Sequence, residues 1–485
     1  MDALAFEHHL TSPQGAGHVP DGAVTITAEG GSCCDQITFS VAIDGDRVRD
    51  AGFEAHGCGS AHAAGSAAVE LVRGTPVLTA ARTGAAEIAA ELGGLSPGKL
   101  HAAELAADAL ARALGAAVRR DAQLPPVADA TLVAMSGGVD SAVAAYLCTE
   151  QSAATVAVTL ELWADRDNDV ERSCCSASAV AQARGLAHSM GLAHFTLDLR
   201  DEFRSGVVEP FIAGYAAGET PNPCVGCNGH VRLDAMLALA DRLGCSWLAT
   251  GHYARVAEAD HPQGPLLRAA ADPSKDQTYM LAALHPASLA RMRFPLGDLT
   301  KVRVREIAAQ AGLPVAAKAD SQDLCFLAGT DRASFLARHG GVGDAPGEIV
   351  DSSGHVLGIH RGQHRFTVGQ RRGLGEVSSQ ATEPLFVLHK DAATRRVTVG
   401  PRAALASDRV RVRGARLQRE ATRVDRVKLR YRSRPLPARV LGDAAAGSHS
   451  GLEVSLGEPV DGAAPGQLAC LMDGELVVGW GTIAR

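Results

Sequence analysis

The stretch TLVAMSGGVDSAVAAYLCTEQ, residues 131–151, passes from an apolar β-prone segment through two glycines into a helix-forming segment. A strand that hands directly to a helix is the building unit of a parallel, doubly wound sheet. The next segments keep the alternation. ATVAVTLELWAD (154–165) reads as a strand, CSASAVAQARGLAHSMG (175–191) as a helix, HFTLDLR (194–200) as a strand, and VRLDAMLALADRLGCSWLATGHYA (231–254) as a further helix and strand. In such a sheet the ligand site forms beyond the carboxyl ends of the strands. Within MSGGVDS, Gly137 and Gly138 let the backbone approach an anion. The free N–H groups and positive end of the helix would hold that anion, with the hydroxyls of Ser136 and Ser141 as further donors. No Gly-Lys-Ser/Thr follows, so this is not a Walker A loop.

At 485 residues the chain is too long for one ordinary domain. The stretch DAQLPPVADA (121–130), with two prolines and no apolar periodicity, separates a front module from the doubly wound part. In that module AVTITAEG (23–30) and QITFSVAIDGDRVRDAGFEA (36–55) read as strands with an Asp-Gly turn, followed by helices. The last helix, PGKLHAAELAADALARALGAAVRR (97–120), is expected to line Leu100, Leu105, Leu110 and Leu114 along one side. From Gly341 onward the alternating, Gly-rich segments 347–362, 384–400 and 474–485 read as all-β. The expected organisation is a tail at 1–22, an α+β module at 23–120, a linker at 121–130, a doubly wound α/β domain at 131–340, a small β-rich domain at 341–400 and a C-terminal β-barrel at 401–485.

With 46% apolar and 21% charged residues, no apolar run of transmembrane length and no export-signal pattern, the expected location is the cytoplasm, with no membrane partner. Eleven cysteines in a reducing compartment argue for metal or sulfur chemistry more than for structural disulfides. TPNPCVGCN (220–228) sets Cys224 and Cys227 in C-x-x-C spacing, which by itself leaves open a disulfide, a zinc clip, a sulfur-handling pair or half of a cluster site. The net charge of -7 argues against general nucleic-acid binding. Residues 401–440, however, carry a local excess of ten positive charges, a patch suited to a phosphate backbone or to an Arg-rich solvated face.

MSGGVDS in its strand-to-helix setting resembles the pyrophosphate loop of the adenylating ATPases, which cleave ATP between its α and β phosphates. TPNPCVGCN, ATGHYAR (249–255), KDQTYML (275–281), DSQDLCFL (320–327), FTVGQRRGLG (366–375) and RYRSRPLPARV (430–440) follow in one order. Together they resemble the bacterial tRNA-uridine 2-sulfurtransferases, over about residues 131–485. The resemblance implies ATP with Mg2+ on Ala134, Met135, Ser136, Gly137, Gly138, Val139, Asp140, Ser141, Leu160 and Gly251. It implies that Asn222, Pro223 and Cys224 face the target base, and that His252, Lys275, Asp276, Gln277, Arg430, Tyr431 and Gln467 touch tRNA. Cys227 becomes the nucleophile or resolving cysteine and Cys325 the persulfide carrier. The implied reaction adenylates O2 of the wobble uridine (U34), replaces that oxygen by sulfur, and leaves Cys227 and Cys325 able to close a disulfide. Other readings of the same loop are a different adenylating ligase or an iron-sulfur carrier with an RNA-binding appendage.

Most members of that family carry an aspartate where Cys224 stands. With Cys227 and Cys325 it makes three thiolates, a set that suits a [4Fe-4S] cluster with one open iron; persulfide and zinc readings stand beside it. Cys174 and Cys175 are expected to be structural or adventitious. In the front module GSCCDQITFSV, AHGCGSAHAAGS and SPGKLHAAELA resemble the U-type iron-sulfur scaffold proteins. That likeness implies a zinc or iron-sulfur ligand set of Cys33, Asp35, Cys58 and His101, with Ala102 in place of the family's last cysteine and Cys34 in place of a glycine. It also implies a cysteine desulfurase or sulfur-relay protein as donor.

Overall fold

The computed structural model describes residues 3–30, 34–165, 177–319, 324–327, 329–375, 377 and 383–484. Cys33, Cys174 and Cys175, and the DSQD of DSQDLCFL, lie outside the described residues. The first sheet pairs β1 (Val24–Gly30), β2 (Asp35–Asp44) and β3 (Arg47–His56) antiparallel in that order. At the Asp-Gly turn between β2 and β3, Gly45 takes φ +59, and Asp44 pairs with Arg47 across it.

The helix Leu100–Asp121 packs against this sheet on one side and against the next sheet on the other. Leu105, Leu110 and Leu114 are buried, while Leu100 is 38% exposed, which corrects the expectation of one leucine side. Positions five apart stand about 140° apart around a helix axis. Leu105 and Leu110 are both covered because the helix is buried on two faces. Its alanines and Gly115 allow that approach: a Cβ at Gly115 would lie 2.0 Å from the Thr196 carbonyl oxygen.

The second sheet is parallel throughout. It contains β4 (Val127–Ala134), β5 (Ala154–Glu161), β6 (Ala193–Asp198) and β7 (Cys245–Ala249). The chain then makes a hairpin, β8 (Arg255–Ala257) and β9 (Leu266–Arg268), before returning as β10 (Met292–Arg293). The order is β10-β7-β4-β5-β6, so the connections reverse direction at β4, which places the switch point at its carboxyl end. The stretch 121–130 is built into this body. Ala122 and Leu124 are buried, the Leu124 N–H donates to the Arg242 carbonyl at 2.9 Å, and β4 already begins at Val127. The front module and the parallel sheet share one continuous apolar core.

Four strands, β11 (Gly347–Val350), β12 (Val356–His360), β13 (Phe386–Asp391) and β14 (Arg396–Gly400), form a small sheet in the order β12-β11-β14-β13. The last six, β15 (Ala406–Leu417), β16 (Arg426–Lys428), β17 (Leu436–Val440), β18 (Gly447–Asp461), β19 (Leu468–Asp473) and β20 (Leu476–Ile483), close into a barrel through β15 and β20. The hairpin β8–β9 leaves the parallel domain and extends the barrel sheet alongside β20. Closure removes the exposed strand edges that an open sheet would carry. Among the described residues no helix is long and apolar enough to cross a membrane.

Candidate active site

The glycine turn follows β4 at the switch point, and its geometry comes from backbone freedom. Gly137 takes φ +68, a left-handed conformation that a glycine adopts without a steric penalty. Gly138 stands at the N-cap of the helix Val139–Gln151. The Ser136 N–H donates to Ser141 Oγ at 3.1 Å, and the Ser141 hydroxyl donates to the Gly138 carbonyl at 3.0 Å, so the turn closes on itself. Ala134 ends β4, the buried Met135 donates its N–H to the Val158 carbonyl at 2.8 Å, and Val139 is buried at the helix start. Leu160, buried near the carboxyl end of β5, and Gly251, just after β7, lie on the same side of the sheet.

Gly251 touches the loop. A Cβ there would stand 2.8 Å from the Asp140 carbonyl carbon and from the Ser141 nitrogen, both backbone atoms. Gly251→Ala is therefore expected to push the loop away and to lower nucleotide-dependent turnover about 10²-fold, measured by steady-state kinetics. The Asp140 carboxylate is engaged within the protein, accepting from the Tyr253 hydroxyl at 2.8 Å and from Lys301 Nζ at 2.7 Å. Neither Tyr253 nor Lys301 stood out in the sequence, because nothing local links them to residue 140.

The helix Leu233–Arg242 runs back to feed β7, so the segment before it lies on the carboxyl side of the sheet as well. That segment holds TPNPCVGCN. Asn222 caps a single turn, Pro223–Gly226, by accepting from the Cys224 N–H at 3.1 Å, and Cys227–Arg232 continues as a π-helical turn. A wide turn of this kind is frequent at functional sites. Cys227 is buried, and Cys224 is half-buried. Burial, and secondarily the neighbouring Cys227, push the Cys224 thiol up to about 11. Cys325 opens a short 3-10 turn anchored by Phe326, whose ring centroid lies 5.1 Å from that of Phe335, 5.2 Å from Phe211 and 5.8 Å from Phe203. The helix carrying Phe203 packs on the π-turn, so the segments of Cys325 and Cys227 meet the same element. Among the described residues no disulfide is present, and Cys224, Cys227 and Cys325 are all thiols.

Of the residues expected to touch tRNA, Gln467 helps clamp the barrel onto this loop. Gln467 Nε2 donates to the Thr220 carbonyl at 2.6 Å, the Thr220 N–H donates to the Pro465 carbonyl at 2.8 Å, and Arg413 pairs with Glu219 at 2.7 Å. Arg430 donates to the Gly462 carbonyl at 2.8 Å. Asp276 pairs with Lys428 at 3.1 Å, and the Gln277 side chain accepts from the Tyr253 N–H at 2.9 Å. Lys275 and Tyr431 are partly exposed beside them. His252, facing Thr250 Oγ1 at 2.8 Å, is pushed down to about 3, first by burial and then by Arg232. At neutral pH it offers a neutral ring and no charge. Six of the twelve arginines at 401–440 pair with acids distant in sequence: besides Arg413 with Glu219, Arg402 pairs with Asp461, Arg409 with Glu453, Arg419 with Glu258, Arg423 with Glu258 and Asp473, and Arg434 with Glu458.

In the front module Asp35, Cys58 and His101 converge, with their ligand atoms within 4.8 Å of one another. Asp35 is 1% exposed and accepts from the Cys58 N–H at 3.0 Å, and its Oδ2 lies 3.4 Å from both Cys58 Sγ and His101 Nε2. His101 Nδ1 lies 3.0 Å from the Gly98 carbonyl; a carbonyl only accepts, so Nδ1 carries the proton and Nε2 points its lone pair into the cluster. Among the described residues that buried Nε2 has no hydrogen-bond partner, which is the arrangement of a ligand oriented for a metal. A Cβ at Gly57 would lie 2.1 Å from Asp35 Oδ1, so only glycine leaves the carboxylate in place. Ala102 is fully buried, and Cys34 sits exposed at φ +53, a conformation that explains the glycine expected there.

Family models agree with this layout. A NifU-like N terminal domain matches residues 5–123 and a tRNA methyl transferase HUP domain residues 129–329. A tRNA methyl transferase PRC-barrel domain matches residues 333–401, and an Aminomethyltransferase beta-barrel domain residues 386–483. Among curated proteins, the chain is 45% identical over 491 residues to a bifunctional protein NifU/MnmA of Rubrobacter xylanophilus, covering 98% of this chain and 97% of that one. It is also 45% identical over 357 residues to the tRNA-specific 2-thiouridylase MnmA of Rhodospirillum rubrum, covering 71% of this chain and 92% of the relative.

Proposed function

This chain belongs to the bifunctional NifU/MnmA family, and on that premise we propose that it is an ATP-dependent tRNA-uridine 2-sulfurtransferase working in the cytoplasm on U34. The observation that carries the reading is the arrangement around one sheet end: the glycine loop, Gly251 against its backbone, and the Cys224–Cys227 turn under the barrel.

In the proposed reaction the loop and helix terminus hold the triphosphate with its Mg2+. O2 of the uridine forms a bond to the α-phosphorus, the Pα–O–Pβ bond breaks, and pyrophosphate leaves as the N3 proton is lost. The terminal sulfur of a Cys325 persulfide then attacks C2 and AMP departs. The Cys227 thiolate attacks the Cys325 sulfur, which frees the thiocarbonyl and forms a disulfide that two electrons from a thiol reductant reopen. Cys224, held near 11, stays protonated at neutral pH, so it gives a proton but does not take one, unlike an aspartate in its place.

Cys224, Cys227 and Cys325 are the ligand type of an iron-sulfur cluster, which would supply an open iron for hydrosulfide, although among the described residues their sulfurs do not all lie within 4.8 Å of one another. Cys224→Asp separates the two cases: retained thiolation without iron favours the persulfide, and joint loss of iron, acid-labile sulfide and activity favours the cluster. In the front module Cys58, Asp35 and His101, with Cys33, would hold zinc or an iron-sulfur centre, which when bound supplies a metal-activated thiolate to a desulfurase or sulfur-relay partner. His101→Ala is expected to remove one equivalent of bound zinc per chain, counted by elemental analysis, and to leave tRNA-dependent pyrophosphate release intact.

The function itself is tested by incubating the full chain with unmodified tRNA, ATP and a cysteine desulfurase with cysteine. Mass spectrometry of the nucleosides should show 2-thiouridine, with pyrophosphate released only when tRNA is present. Pyrophosphate release that requires ammonia or an amino acid instead would move the chain to another class of adenylating ligase.

A further inference from the structure

Lys318 belongs to none of the roles above. Its main chain is fixed: its N–H donates to the Val315 carbonyl at 3.0 Å, and Arg305 donates to the carbonyls of Ala316 and Lys318 at 2.8 and 3.1 Å. Its side chain is exposed, and the ammonium reaches the glycine loop, donating to the Gly137 carbonyl at 2.9 Å and to Gln182 Oε1 at 2.6 Å. Both partners are neutral amide oxygens. Among the described residues no carboxylate pairs with this ammonium, whereas the other lysine at the loop, Lys301, is paired with Asp140 at 2.7 Å. An ammonium has three donors, and two are used here, so one remains for an incoming group.

A positive charge held against an anion-binding turn, with no carboxylate partner among the described residues, is matched by an anionic ligand. The helix that begins at Val139 adds its positive end on the same turn. We propose that Lys318 is a catalytic residue that binds the β and γ phosphates of the nucleoside triphosphate and neutralises the pyrophosphate as it leaves. This rests on the sulfurtransferase reading above. In that step the bond from uridine O2 to the α-phosphorus forms while the Pα–O–Pβ bond breaks, and the bridging electron pair goes to pyrophosphate. The Lys318 side chain exchanges the Gly137 carbonyl for a phosphate oxygen. Charge that develops on the leaving group is where a preorganised donor contributes most. The residue also stands seven positions before Cys325. The competing role is a tether for that segment.

The test measures single-turnover pyrophosphate release by the full chain with ATP and tRNA and without a sulfur donor, for wild type, Lys318→Ala and Lys318→Arg. Lys318→Ala should release pyrophosphate about 10²-fold more slowly and be inhibited by added pyrophosphate about tenfold more weakly. Lys318→Arg should recover most of both. Wild-type pyrophosphate release and inhibition in Lys318→Ala, with thiolation alone impaired, would make the residue a tether and overturn the assignment. A loss that arginine does not restore would also overturn it. Absence of tRNA-dependent pyrophosphate release in wild type would instead count against the sulfurtransferase reading.

Discussion

Replacing Cys325 with alanine is expected to abolish 2-thiouridine formation, by at least about 10³-fold, while tRNA-dependent pyrophosphate release continues. The split follows from where the residue sits. Cys325 is not part of the glycine loop, Gly251 or the β4–β5–β7 strand ends that would hold the nucleotide, so adenylation needs none of its atoms. Its fold is secured by Phe326 inside the ring cluster of Phe203, Phe211 and Phe335, so removing the sulfur leaves the turn anchored. Mass spectrometry of tRNA nucleosides and a coupled pyrophosphate assay on the same samples read both halves. A Cys325→Ala protein that still thiolates tRNA would remove the persulfide from the mechanism, and one that loses pyrophosphate release as well would make the residue part of the adenylation site.

Replacing Arg112 with alanine is expected to destabilise the folded chain by about 3–5 kcal/mol at pH 8. Arg112, on the Leu100–Asp121 helix, grips Glu161 at the end of β5 with both ends of its guanidinium, at 2.7 and 2.9 Å. Asp108 bonds Arg112 on one side and Arg184 on the other at 2.8 and 2.9 Å. Glu161 is 5% exposed, and burial outweighs the Arg112 fork, pushing its carboxyl up to about 7 from 4.5. A carboxyl raised on folding binds its proton more readily in the folded than in the unfolded chain. Stability from this group is therefore full below about pH 4.5 and is lost as pH rises to about 7, by about 3 kcal/mol. Without the guanidinium the carboxyl rises further, so the cost of Arg112→Ala shrinks toward acid pH and grows toward pH 8. Urea unfolding at pH 6 and pH 8 measures it, and Glu161→Gln should flatten the slope. Wild-type stability of Arg112→Ala at pH 8 would show that the network contributes nothing.

The same network changes how the front module can be studied. Cutting the chain at Asp121 would leave Glu161 and Arg184 without their partners and would uncover the β6 face on which Gly115 rests. Point changes at His101 test the front site without opening that interface.

The glycine loop, the alternation of strand and helix, and the strand-rich C-terminal third were legible in the sequence because each depends on neighbours within a few residues. MSGGVDS needs only the strand before it and the helix after it, and the Asp-Gly turn at 44–45 needs only glycine's freedom at positive φ. The order of the cysteine, GHY and KDQ motifs was legible for the same reason. What the tertiary structure decided involves contacts distant along the chain. It took the hairpin 255–268 out of the parallel domain and gave it to the barrel, and it buried the Leu100–Asp121 helix on two faces. It also paired six of the twelve arginines at 401–440 with distant acids such as Glu258, Glu453 and Asp461. Linear spacing reports local geometry, whereas charge pairing and shared cores depend on which surfaces the folded chain brings within a few ångströms. Lys318 is the sharpest case: in sequence it is one lysine before a cysteine motif, and only the fold puts its ammonium on Gly137.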